Sequence, residues 1–279
     1  FATAILLAEL VLRPSREWAW PVGAAMLGGI VATGLFGIGF VGAPVLTLFI
    51  VLEAVIAAWL VQRWSGVGAD MGTLRGVMLF VAAAGIIAPA VSGVGGALTI
   101  TLATDTAFPV NWLSWYLGHA LGTITVAPIA LLALSGDMFA GIARLRWARK
   151  LEGAGLILLT IAVSRLVFGQ ERFPLLFLPL LPLTIAAFRF DRIGGAIAIV
   201  ILAVVGGAFT IGGSGPVYLI SGVTHERALF LQFYLACAVV MTLLIAAELN
   251  QRKRLMSALR KSEARYRLIA DGSTDVILT

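Results

Sequence analysis

Long apolar runs set the strongest limit on what this chain can fold into. They cover residues 1–12, 20–38, 43–62, 76–103, 110–134, 151–169, 173–189, 193–211 and 228–249, with short polar stretches between them. A helix crosses a bilayer with about 20 apolar residues. The first run is too short for that and begins without an initiator Met, so it reads as the inside of a helix. Neither a basic leader segment nor a cleavage site marks it as a signal peptide. The chain is 60% apolar and 12% charged, with mean hydropathy +1.02. A soluble protein is about 45–50% apolar and about 25% charged, so a water-soluble domain, disorder, a coiled-coil rod and a secreted disulfide scaffold are excluded. Cys237 is the single cysteine and has no partner for a disulfide or a zinc pair. The predicted fold class is all-α: a polytopic helical membrane protein with about 8–9 transmembrane segments, followed by a cytoplasmic signalling helix.

The chain carries net charge +6 and pI ≈ 10.1. On a soluble protein that balance would point to nucleic acid. Here 17 of the 20 basic residues fall in alternate connections: 13–19, 63–75, 135–150, 189–192 and the stretch after 249. The opposite connections hold only Arg172 and Arg227, and Arg165 lies inside a run. The positive-inside rule assigns the basic side to the cytoplasm. The charge is therefore topological and no nucleic-acid partner is expected. The opposite connections are too short for an external domain, so any signal must be sensed in or near the bilayer, or from the cytoplasm.

After residue 249 the composition becomes polar, and no Gly or Pro occurs between Arg227 and Asp271. One helix is expected from near residue 228 to about Ala270. Leu249, Met256, Leu259 and Tyr266 recur at heptad-like spacing, with polar gaps at Arg252 and Glu263, which suggests a weak seam for a parallel homodimer. Asp271-Gly272-Ser273-Thr274 is expected to break the helix, and Asp275–Thr279 to begin a strand. The domain reading is 1–249 membrane domain, 250–267 signalling helix and 268–279 the cut-off start of a soluble domain.

Few residues in the runs can carry chemistry. Glu53 lies mid-span, where a carboxylate is costly and faces a partner or a cavity. It serves either a ligand or proton site or a buried structural pair. Trp112, Trp115, Tyr116 and His119 share one helix face. They form either an aromatic-walled site with a titratable group or an interfacial aromatic belt with a hydrogen-bonded core histidine. Arg165 either reaches the interface or pairs with Glu53 or another acid. Gly118 and Gly122 have the spacing of a close helix approach, and Pro128 should kink the same helix. Gly93, Gly95 and Gly96 suggest an irregular or tightly packed helix. No nucleophile–histidine–acid set, metal cluster or nucleotide fingerprint is present, so no catalytic residue, metal or cofactor is expected in this chain.

WLSWYLGHALGTITVAP, residues 112–128, resembles the signature of the first MASE-type family (MASE-one) of bacterial membrane-associated sensor domains. Gly118, Ala120, Leu121, Gly122, Ala127 and Pro128 fit that pattern, while His119 stands where the family usually carries Asp. LEAVIAAWL around Glu53 and the 174–199 stretch are similar to further family segments, so the resemblance covers about 1–249. SEARYRLIADGSTDVILT, residues 262–279, resembles the entry to a PAS domain. The two resemblances imply the sensory membrane half of a bacterial signalling protein. Its last helix would relay a signal to PAS and an output module, with a GGDEF diguanylate cyclase ahead of a histidine kinase. They also imply the inner membrane, a cytoplasmic C-terminus, and an unknown small ligand or membrane partner protein besides the bilayer. A transporter and a plain anchoring or dimerising scaffold are the alternatives of another class.

The charge asymmetry makes a direct prediction. On a Cys237→Ser background, Asp105→Cys is expected to react with an impermeant thiol reagent added from outside, and Arg146→Cys is not; the reverse pattern inverts the topology.

Overall fold

Hydrocarbon offers no water to backbone N–H and C=O groups, so an apolar chain must satisfy them within each segment, and helices result. The structure, a computed structural model, describes residues 2–37, 39–68, 71–219 and 224–274, with the side chains of Asp137, Thr224, His225 and 269–274 left out. All regular elements among them are helical. In chain order they are α1 (Ala2–Leu12), α2 (Ala19–Phe36), α3 (Gly39–Ser65), α4 (Leu74–Phe80), α5 (Ala88–Ala103), α6 (Phe108–Leu134), α7 (Asp137–Ala143), α8 (Trp147–Phe168), α9 (Leu180–Ile211) and α10 (Thr224–Thr274). Among the described residues, seven helices are long and apolar enough to cross a membrane when α4 and α5 are taken as one. The polytopic helical class read from the sequence is the class of the fold.

α4 and α5 are joined by a π-helical turn over Val81–Ile87, where the Ala88 N–H reaches back to the Ala83 carbonyl. Pro89 lies at the start of α5. It has no N–H to give the preceding turn and its ring crowds the carbonyl four residues back, which favours a widened turn there.

α9 is two arms, because Phe190 (φ −126°, ψ 16°) and Asp191 (φ 53°, ψ −142°) leave the helical region. Residues eight apart on a straight helix are separated by about 12 Å. Here a Cβ placed on Gly195 would lie 3.6 Å from the Ala187 Cβ, and one on Gly194 would lie 2.3 Å from the Ala186 carbonyl oxygen. The chain therefore folds back on itself, and only a glycine admits the crossing at 194. The two arms are 180–189 and 192–211, and residues 173–179 of the apolar run 173–189 precede the helix as bends and turns. Asp191 holds its positive φ while both its carboxylate oxygens accept from Lys253 Nζ at 2.7 Å.

This reversal lets the basic connections gather. Gln62 Nε2 donates to the Arg13 carbonyl at 2.7 Å, and Asn250 Nδ2 donates to the Gly72 carbonyl at 3.1 Å. Lys253 holds Asp191, while Glu152 receives both Arg189 and Arg149. These links tie 13–18, 63–73, 144–152, 189–192 and 250–253 together at one end of the bundle. A straight α9 would send α10 the other way and carry the seven basic residues after Leu249 to the opposite end.

Two cores form, and α6 serves both. One contains α1, α3, the π-helical turn and the α6 residues Ala127 and Leu131. The other contains α9, α10, the end of α8 and the α6 residue Ile124. α1 is only 11 residues long, yet Leu7, Leu10 and Val11 are fully buried. The carbonyls at its end are satisfied from outside the helix: Gln62 and Trp18 donate to Leu10, and the Gly68 N–H to Val11.

Two sequence expectations are corrected. Gly118 and Gly122 mark no close crossing, since a methyl on either would meet nothing within 4 Å. Tight approaches between helices include Gly85 against Ile124, Gly95 against Phe49, Gly96 against Trp115 and Gly195 against Thr242. The break expected at Asp271 does not occur either, because α10 continues to Thr274. The strand expected over 275–279 lies outside the described residues. Pro128 is buried within α6, which stays helical from Phe108 to Leu134.

The glycine environments predict opposite outcomes for one substitution type. Gly194→Ala forces a methyl against backbone and should cost about 1–3 kcal/mol, the scale of overpacking. Gly118→Ala enters open space in a helix and should be neutral or stabilising by about 0.5–1 kcal/mol. Thermal unfolding of both variants in one detergent checks the contrast.

Candidate functional site

Three helices meet around one carboxylate. Glu53 sits midway along α3 and is 1% exposed. His119 of α6 places Nδ1 2.8 Å from Glu53 Oε2. Ser92 of α5 donates its hydroxyl to the same oxygen at 2.7 Å. Trp115 Nε1 donates to Ser92 Oγ at 3.3 Å. The Trp115 and His119 rings, one turn apart, stack with centroids 4.2 Å apart and planes 8° apart. A Cβ on Gly96 would lie 2.7 Å from the Trp115 ring, so the indole reaches Ser92 because α5 carries a glycine there. Gly95, on another side of α5, makes room for Phe49 of α3. The glycine-rich stretch is a set of seats for aromatic rings.

The donor chain runs Trp115 to Ser92 to Glu53, and each bond polarises the next. Glu53 Oε2 faces both donors, while Oε1 has no hydrogen-bond partner among the described residues. The 2.8 Å contact lets one proton lie between the imidazole and the carboxyl. The arrangement can therefore hold, exchange or respond to a single proton, or accept one further donor at Oε1. Among the described residues no group of three or more His, Cys, Asp or Glu is placed to hold a metal ion.

The other sequence candidates fall elsewhere. Tyr116 stacks on Trp112 with centroids 5.5 Å apart, and Trp112 Nε1 donates to the Ala90 carbonyl. This second stack runs beside the first and packs α6 to α5. Arg165 is not brought to Glu53: it is exposed on α8, and α8 packs against α9. Leu249 is half-buried where α10 leaves the bundle, whereas Met256, Leu259 and Tyr266 are exposed. The side chain of His225 lies outside the described residues. Ser92 is the functional residue that sequence reasoning passed over. Its one signal was a lone hydroxyl beside the glycines of an apolar run.

The bundle, with a buried acid–imidazole pair and a long terminal helix, defines a polytopic helical membrane domain. Residues 1–253 match the MASE1 family, and the chain belongs to it. MASE1 is a membrane sensory domain of signalling proteins. No curated protein matches the chain, and neither does any solved structure.

The pair should behave as a unit in a double-mutant cycle. His119→Phe alone leaves Glu53 with one donor and should cost about 3–5 kcal/mol, as for a buried pair broken on one side. Glu53→Leu with His119→Phe should recover much of that loss, giving a coupling of about 1–3 kcal/mol in thermal unfolding. Strictly additive losses would show that the two groups are satisfied independently.

Proposed function

We propose that this domain senses a condition in or near the bilayer at the Glu53–His119 cluster and relays it through α10 to a PAS domain and a GGDEF diguanylate cyclase, working as a parallel homodimer. In this reading the membrane is the bacterial inner membrane, and the basic end of the bundle with the C-terminal part of α10 faces the cytoplasm.

The continuity of α10 carries the proposal. It has 51 residues, about 77 Å at 1.5 Å per residue, against about 30 Å of hydrocarbon. Its first half packs into the bundle, where Leu231, Leu235, Val239 and Leu243 are buried. Its second half projects with Met256, Leu259 and Tyr266 about 60–70% exposed. A continuous helix transmits rotation and translation that a flexible linker would dissipate. Relay also requires two packing states with different affinity for the stimulus. A weak seam suits this role, because a switchable contact must be breakable.

Insertion mutants of the full-length protein test the relay. One residue inserted after Lys261 rotates everything beyond it by about 100°, whereas seven residues nearly restore the phase. The single insertion is expected to lock or abolish cyclic dinucleotide synthesis and the seven-residue insertion to spare it. Equal output from wild type and both insertions would reduce α10 to a tether.

A further inference from the structure

A second site lies away from the Glu53 cluster, where α8 packs on α9. A groove of about 250 Å³ runs between them, lined by Gly153, Ala154 and Ile157 of α8 and by Ile193, Ile197 and Ile201 of α9. Its floor is apolar, and the Thr160 hydroxyl within it is already committed to the Leu156 carbonyl at 2.7 Å. Arg149 and Lys150 line its mouth, at the basic end of the bundle. Arg144 and Arg146 stand exposed in the same stretch, with Arg189 close by through Glu152. Against these five cations stands Glu152, which Arg149 and Arg189 both engage; Asp137, on α7, is the acid whose side chain is not described. Lys150 has no acidic partner among the described residues.

The dimensions select the occupant. From Lys150 to Thr160 the groove follows ten residues of α8, about 15 Å, which is half of a hydrocarbon core of about 30 Å. It is therefore one leaflet deep. Over that length the lining is apolar and the charges of Arg149 and Lys150 stand only at the mouth. An acyl chain under an anionic headgroup has this same division of apolar length and charged end. We propose that the groove binds an anionic phospholipid, with one acyl chain between α8 and α9 and the phosphate against Lys150 and Arg149. Basic pockets between membrane helices recognise anionic headgroups in this way, each cation near the surface strengthening the attraction.

The full-length protein, stripped of lipid in mild detergent and given equimolar phosphatidylglycerol and phosphatidylcholine of identical chains, tests this by native mass spectrometry. One phosphatidylglycerol per chain is expected in excess over phosphatidylcholine. Lys150→Gln should lower that excess about five-fold, the effect of one surface cation. Ala154→Trp should block the groove and abolish retention of both lipids, while Arg260→Gln, a basic change on α10 outside the groove, should leave retention unchanged. Inorganic phosphate should not displace the lipid, because it lacks the chain. Equal retention of the two lipids identifies ordinary boundary lipid and overturns the proposal. Displacement by phosphate alone, or indifference to both groove substitutions in variants that keep the wild-type unfolding temperature, overturns it as well.

Discussion

Backbone polar groups inside the hydrocarbon must find their partners within the protein, and the architecture follows from that requirement. Hydroxyls in the spans turn back onto their own helix: Thr99, Thr125, Thr160, Thr184 and Thr242 each donate to the carbonyl four residues earlier. The end of α1 shows the same requirement at larger scale. Its last carbonyls fall inside the bundle, so Gln62 and Trp18 come from elsewhere to cap them. Glu53 is the most demanding group. A lone threonine satisfies itself, but a carboxylate needs donors from other helices, and the Ser92 and His119 side chains fix how α3, α5 and α6 sit together.

That distinction explains which residues could be read from the sequence. Glu53 and His119 stood out because a titratable group in an apolar run is too costly to be idle. Ser92 did not, because serine in a membrane helix commonly bonds its own backbone, and nothing local shows that its proton goes to a carboxylate 39 residues away. Arg165 was over-read: a long cation near a helix end can place its charge at the interface without any protein partner. The apolar runs were legible from the sequence, down to the reversal between Arg189 and Arg192, but the count of about 8–9 spans was too high. Seven helices among the described residues are long and apolar enough to cross, because Ala2–Leu12 is too short and the two runs after Arg172 share one helical element, Leu180–Ile211.

Glycine spacing was a poorer guide. Gly118 and Gly122 share a face of α6, but spacing says nothing about what lies opposite, and the face is open. Gly93, Gly95 and Gly96 were recognised only as tight packing. Which rings they admit depends on the register of α5 against α3 and α6, and that is a tertiary fact. The helix stop at Asp271 was also overestimated. A glycine costs a helix only about 1 kcal/mol, too little to end by itself a helix already some fifty residues long.

The same contacts connect the acid to the terminal helix. The two helices that donate to Glu53 both lead to α10. α6 carries His119, and below it Ile124 enters the core shared with α10. α5 carries Ser92 and continues through the π-helical turn into α4, whose preceding connection receives Asn250 at the Gly72 carbonyl. A π-helical turn holds fewer well-aligned bonds than an α-helix and so is the soft place in the second route. A change of charge at Glu53 alters the pull on Ser92 and His119 at once. The stacked Trp115 and the Gly96 seat leave those side chains little room to relax alone, so in the proposed sensing role the helices would shift together. The Lys253–Asp191 pair and the Asn250 contact hold α10 where it leaves the bundle, so such a shift would meet α10 at its base. That is the place where a small displacement is carried furthest by a long rigid lever.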